Sequence, residues 1–211
     1  MNLLKLSILF LSLTGIFAFE QQGTHIKLQS GDLLFRGASS DNISEAIDIV
    51  TQTSSATHFS HVGIVEVLDS GIFVLHASPV GGTCKVSINE FLHPEGESVT
   101  VVAYRLKNQW KAAIHDAIKK AKQMLGKPYN FSYIMLDTAH YCSEFVYLAY
   151  VADSIFEMKP MTFKDPKTGD FSPAWVEYYQ KMGLEIPEGL PGCNPNGLAA
   201  SFKLERLGTI N

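Results

Sequence analysis

The spacing of apolar and polar residues changes period several times along the chain, and each change predicts an element. In "GDLLFRG" (31–37), Leu33 and Phe35 alternate with Leu34 and Arg36 between two glycines, the pattern of a short strand. "DNISEAIDIVTQT" (41–53) instead sets Ile43, Ala46, Ile47 and Val50 at helical spacing. Asn42 and Glu45 stand there in capping-box relation. "SHVGIVEV" (60–67) and "GIFVLHAS" (71–78) are β-rich runs joined by Leu68, Asp69 and Ser70, which predicts a hairpin. "VTVVAYRL" (99–106) reads as a further strand. "NQWKAAIHDAIKKAKQMLG" (108–126) is an amphipathic helix, with Trp110, Ile114, Ala117, Ala121 and Leu125 on its apolar side, Asn108 as cap and Gly126 as stop. "SPAWVEYYQKMG" (172–183) has Ser172 at the N-cap, Pro173 at N1 and Gly183 past its end. "PEGLPGCNPNG" (187–197) is irregular by composition. The pattern is that of one α+β domain with a loop-rich C-terminal tail.

The first stretch adds a destination. "MNLLKLSILFLSLTGIFA" has one charge, Lys5, ahead of an apolar run too short for a membrane span. It reads as a secretory signal over residues 1–18, with no lipoprotein cysteine behind it, so residues 19–211 form the single mature domain, secreted or periplasmic. The net charge of −4 comes without a basic cluster, which speaks against a nucleic-acid partner. The three cysteines, Cys84, Cys142 and Cys193, all follow the signal. In an oxidising compartment an odd count predicts one bridge and one free thiol.

Cys142 is the candidate for the free thiol. In "YCSEFVYLAY" it stands at the start of a buried helical run, where unpaired N–H groups and the helix dipole favour a thiolate. From this stretch alone a buried structural cysteine is an equally good reading. A nucleophile needs a base. Among the seven histidines, His115 falls on the polar side of its helix, and His25 and His93 fall in loop-like segments. His61 and His76 lie in the two arms of the hairpin. Pairing Val67 with Gly71 puts residue 61 opposite 76 or 77, with both rings on one face. Glu66 has the opposite parity to His61. Two histidines and a thiol also make a zinc-ligand set, and His58 with His61 has HxxH spacing.

Taken in order, "SGDLLFRG", "FSHVGIVEV", "FVLHAS", "GKPYNFSY", "YCSEFVYLAY" and the "PEGLPGCNPNGL" tail resemble the circularly permuted NlpC-type papain-like proteins of the YiiX/YebB-like family. The resemblance covers nearly all of the mature chain. It implies an α+β permuted papain-like fold, an antiparallel sheet or small barrel packed against helices, in which the histidine strand precedes the cysteine helix. It further implies Cys142 as nucleophile, His61 as general base and residue 76 as third polar member. Relatives often carry Glu at that third position; here it is His76, as in the related lecithin retinol acyltransferase type.

From these parts follows a thiol hydrolase acting on an amide or ester, with no cofactor. His61 would take the Cys142 proton to give a thiolate–imidazolium pair, His76 would fix the His61 ring, and the Cys142 N–H would help hold the oxyanion. That pairing predicts a Cys142 pKa below the ordinary thiol value. Ser60, Tyr129 and Tyr141 are the candidate substrate-binding residues. The substrate is a peptide, as in cell-wall amidases, or an acyl lipid, as in the acyltransferase branch. Either would place the protein at a membrane surface or on cell-wall material. A lipid- or peptide-binding protein without turnover would use the same pocket. With Cys142 kept free, the expected bridge joins Cys84 to Cys193.

Overall fold

A computed structural model describes residues 26–210 except 38–41, 52, 54–57 and 97–98. The signal segment 1–18 and His25 lie outside the described residues, as do the side chains of Asn42 and Glu45, on which the capping box rests.

Strand β1 (Leu33–Gly37) is followed by helix α1 (Asn42–Thr51), strands β2 (Phe59–Leu68), β3 (Gly71–Ser78) and β4 (Gly82–Ser87), helix α2 (Ile88–Leu92) and strand β5 (Val101–Leu106). Then come α3 (Ile114–Gln123), α4 (Cys142–Ala149), the two-residue β6 (Lys159–Pro160), α5 (Pro173–Met182), the equally short β7 (Pro191–Gly192), α6 (Pro195–Ala199) and β8 (Leu204–Ile210). Six strands form one open sheet in the order β4-β3-β2-β1-β5-β8, with each neighbouring pair antiparallel. Of the two expected shapes, the open sheet is the one found; β4 and β8 are its edges and do not close a barrel.

Strand alternation divides the core in two. Leu33, Phe35, Val62, Ile64, Leu75 and Ala77 face α3 and α4, whereas Leu34, Val65 and Val74 face Phe91 of α2. Burial on both faces lets β1 and β2 read as nearly continuous apolar runs. On the helix side, Ala117 and Ala121 of α3 are buried and Trp110, Ile114 and Leu125 pack beside them, as their spacing predicts.

Several elements differ from the sequence reading. The hairpin turn is one residue shorter than expected, because Leu68 pairs with Gly71 and leaves only Asp69 and Ser70 in the loop. Asn108 does not cap a helix: the segment Asn108–Ala113 is a 3-10 turn behind Lys107, which offers no side-chain cap, and the α-helix begins at Ile114. Uncapped N–H groups tighten a first turn in this way. The tail is ordered where its composition suggested irregularity. Asn194 Oδ1 accepts from Gly197 N–H at 2.7 Å with Pro195 at N1, so "NPNG" is a helix start. That helix fixes the site strand, since Asn196 Oδ1 accepts from Phe59 N–H (2.7 Å) and its amide donates to Thr51 (2.8 Å).

Strand β4 was not read from the sequence. Thr83 anchors it: its N–H donates to the Lys127 carbonyl (2.8 Å), its hydroxyl donates to the Met124 carbonyl (2.6 Å), and its carbonyl accepts from Gly126 N–H (2.8 Å).

Candidate active site

Cys142 opens α4 and is buried in the helix-side core. The turn before it is held by Glu144, which is fully buried and accepts from Tyr141 N–H (3.1 Å). The thiol lies against the backbone of β2 on both sides of His61: it donates to the Ser60 carbonyl at 3.9 Å and receives the Val62 N–H. Val65 bonds toward β1 through both its N–H and its C=O, so by alternation the polar groups of Val62 point toward β3. Pairing between β2 and β3 ends at Ile64 and Leu75. The sulfur therefore sits in the gap where β3 parts from β2.

The two histidines meet, but diagonally. The observed register places Gly63 opposite His76 and residue 61 opposite 78, a correction to the direct opposition expected from a longer turn. Residues 61 and 63 share a face, so His61 Nε2 still reaches His76 Nδ1 at 2.8 Å. Both rings are buried and pack on Phe91, at 5.8 and 5.3 Å between centroids. Glu66 points to the other face, as its parity predicts, and pairs with Lys122 and Lys85. The Cys142 thiol bonds to the Ser60 carbonyl and not to the His61 ring. With Nε2 engaged by His76, Nδ1 is the His61 nitrogen left to serve the thiol.

Arg36 explains much of the electrostatics, and the sequence reading gave it no role. It pairs with His61 across β1 and β2, and its guanidinium stacks over Phe91 at 4.9 Å. Burial holds His61 well below the ordinary imidazole range, and Arg36 and His76 push the same way. Burial and Arg36 bring His76 down to about 3. Burial pushes the Cys142 thiol up to about 11, against the N–H groups of Ser143, Val62 and Cys142 and the charge of Arg36, which favour the thiolate. The expected low thiol pKa is thus corrected. Desolvation outweighs the donors, and the resting pair is a neutral thiol and a neutral imidazole.

On the helix side the thiol borders a cavity of about 490 Å³. Of the predicted substrate-binding residues, Ser60, Tyr129 and Tyr141 all line it; His61 and His76 do not. Tyr133, Phe163 and Trp175 complete its aromatic wall, with Met161 beside them; none of the four was singled out from sequence. Burial raises the phenols of Tyr129, Tyr133 and Tyr141, so all three are neutral hydroxyls.

The expected Cys84–Cys193 bridge is absent, and all three cysteines are free. Cys193 belongs to the cavity wall, where its carbonyl accepts from Ser143 (3.0 Å) and its N–H donates to Tyr141 (3.3 Å). Cys84 pairs with His76 across β3 and β4, and its Sγ lies 3.4 Å from His76 Nε2. The two sulfurs lie toward opposite faces of the sheet. Of the other described histidines, His115 is exposed, His93 Nδ1 bonds the Asn89 carbonyl, and His58 pairs with Asp48 at 2.6 Å, so His58 and His61 form no joint site; His140 is buried two residues before Cys142, with Nδ1 3.5 Å from Glu144 Oε1.

A family model described as permuted papain-like amidase enzyme, YaeF/YiiX, C92 family, matches residues 27–208. The uncharacterized protein YiiX of Escherichia coli (strain K12) is 30% identical over 123 residues, 58% of this chain and 57% of that protein, so the match spans little more than half of the relative's length. The crystal structure of the metalloprotein yiiX from Escherichia coli O157:H7 superposes with a TM-score of 0.68 over 86% of this chain and 97% of that one, at 24% identity, a likeness of fold. Among the described residues of this chain, no three His, Cys, Asp or Glu side chains gather as a metal-ligand set. With the histidine strand ahead of the cysteine helix and a match that runs through nearly every described element, the chain belongs to the YaeF/YiiX (C92) family of permuted papain-like amidases.

Proposed function

We propose that the protein is a cysteine hydrolase that cleaves an amide or ester bond whose acyl part is apolar, with Cys142 as nucleophile, His61 as general base and His76 orienting the base. The observation that carries this reading is the thiol's position on a cavity of about 490 Å³ walled by Tyr129, Tyr133, Tyr141, Phe163, Met161 and Trp175. Such a wall binds an aliphatic or aromatic acyl group by burial and offers neutral hydroxyls for orientation. The cations that line the cavity, Lys159 and Lys203, are exposed or half-exposed, so the buried part of the wall is apolar and aromatic.

The resting protonation states shape the mechanism. With thiol and imidazole both neutral, His61 Nδ1 takes the proton as the sulfur attacks the carbonyl, without a preformed ion pair. The N–H groups of Cys142 and Ser143, at the start of α4, are the donors for the developing oxyanion. Water then resolves the acyl-enzyme. With the secretory signal read from the sequence, the proposed place of action is outside the cytoplasm, at a membrane surface or on cell-wall material.

A second reading, binding of an apolar ligand without turnover, is favoured by one observation: the thiol bonds to the Ser60 carbonyl in place of His61. Esters and N-acyl amides from acetyl to palmitoyl separate the two, with Cys142→Ala as the blank. The hydrolase reading expects Cys142-dependent release, kcat/KM rising with chain length, and an acyl adduct on Cys142 by mass spectrometry. A preference for acetyl or for charged peptides would sink the apolar acyl pocket. Saturable palmitate binding with no adduct and no release would establish the second reading.

A further inference from the structure

Each ring nitrogen of His76 has a partner: His61 Nε2 at Nδ1 (2.8 Å) and Cys84 Sγ at Nε2 (3.4 Å). His61, His76 and Cys84 thus form a chain of imidazole, imidazole and thiol, which Cys142 joins in the proposed mechanism when His61 takes its proton. Valence fixes the direction of this chain in the reacting state. When His61 has taken the Cys142 proton, both of its nitrogens carry hydrogen. His61 Nε2–H must then donate to His76 Nδ1, which has to be bare. A neutral imidazole has a single N–H, so the His76 hydrogen is forced onto Nε2, facing Cys84.

The end of the chain matters because His76 is buried against Phe91 and Gly63, and Cys84 Sγ is the acceptor placed at Nε2. Cys84 is half-buried. Its sulfur can accept from the ring while its own hydrogen points outward. Cross-strand pairing of residue 76 with residue 84 holds it there, and the bonds of Thr83 to the 124–127 turn hold the strand.

We propose that Cys84 is a positioning residue: it ends the Cys142–His61–His76 chain as hydrogen-bond acceptor to His76 Nε2–H, and so keeps His61 in the tautomer whose Nδ1 is free to receive the thiol proton. One proton moves, from Cys142 Sγ to His61 Nδ1, and Cys84 neither gains nor loses one. The inference rests on the proposed catalytic roles of Cys142 and His61, but its structural content is a tautomer that can be read without turnover.

The test uses Cys84→Ser, which keeps an acceptor, and Cys84→Val, which fills the space and removes it. Imidazole ¹⁵N shifts of wild type should show bare Nδ1 on both His61 and His76. The Ser variant should keep those shifts and near-wild-type kcat/KM on the best acyl substrate. The Val variant should show mixed tautomers and a loss of up to about tenfold in kcat/KM, the upper end of the scale for one neutral hydrogen bond. A protonated His61 Nδ1 in the wild type overturns the proposal, and so does a Val variant with wild-type shifts and activity. A Ser variant as impaired as Val does the same. If the tautomers respond as expected but no substrate is turned over by wild type, the tautomer assignment stands and the hydrolase reading falls. If turnover depends on Cys142 and the Val variant changes nothing, only this inference falls.

Discussion

His61 Nε2 and His76 Nδ1 lie 2.8 Å apart although their residues are diagonal, not opposed, across β2 and β3. The contact is made because residues 61 and 63 share a face and Gly63, opposite His76, has no side chain to intervene. In the proposed mechanism His76 therefore acts on His61 by orientation. His61→Ala should lower kcat/KM by ~10²–10⁴-fold, the range for losing a general base. His76→Ala should cost less, and His76→Glu should retain substantial activity because an acceptor survives. A wild-type rate in His76→Ala would remove the third member from the site.

The neutral resting pair has its own signature. A thiol held up at about 11 is a thiolate only in small fraction at neutral pH. Below that value the thiolate fraction rises tenfold per pH unit, so the rate of Cys142 alkylation should climb steeply on the alkaline side. Peptide mapping separates Cys142 from Cys84 and Cys193, whose thiols burial also pushes up. A Cys142 labelling rate already on its plateau below neutral pH would mean a preformed thiolate–imidazolium pair and would refute the neutral one.

Sequence made the histidine face legible because strand side chains alternate with period two, and parity alone put His61 and His76 together and sent Glu66 away. Register was less legible, since one residue in the turn decides it, and Asp69-Ser70 proved to be the whole loop. Cys142 at a helix start was readable from the apolar run behind it. The place of Cys84 beside His76 was not. "GTCKVS" has little apolar pattern; it is a strand through its pairing with β3, and the bonds of Thr83 that anchor its start come from the turn at 124–127, far along the chain. Counting cysteines then led to a bridge between two sulfurs that the sheet keeps apart. Arg36 escaped notice for a similar reason: a charge at the end of an apolar strand gains meaning only when its neighbour across the ladder is known to be His61.

Acid stability follows from the same two histidines. Their ordinary value is 6.5, while His61 is held well below it and His76 at about 3. Between those values the unfolded chain binds protons that the native state refuses. The native state is therefore favoured above pH ~6.5 and loses stability as the pH falls toward ~3, by up to about 1.4 kcal/mol per pH unit for each histidine. Urea titrations across this window should show the loss. His76→Gln, which cannot protonate there, should flatten the slope by one histidine's share. An unchanged slope in that variant would mean that His76 is not the neutral ring the structure places beside Arg36.

Gly63 offers a test of how closely the site is packed. A Cβ at this position would lie 2.5 Å from Val74 Cγ1, 3.1 Å from Phe91 Cε2 and 3.2 Å from His76 Cβ. The first contact is below any real separation, and the other two press on the ring that supports both histidines and on the base of His76 itself. Overpacking of a filled core costs about 1–3 kcal/mol, so Gly63→Ala should lower Tm and, by shifting His76, lower kcat as well. The two effects are separable. Val74→Ala removes the worst clash, so the double variant Gly63→Ala/Val74→Ala should regain part of the lost stability beyond what Val74→Ala alone would allow. The pressure from Phe91 and on His76 stays, so the activity loss should persist. Stability equal to wild type in the single variant would show that the histidine face has room to spare. Full recovery of kcat in the double variant would show that Gly63 serves packing against Val74 alone and has no part in placing His76.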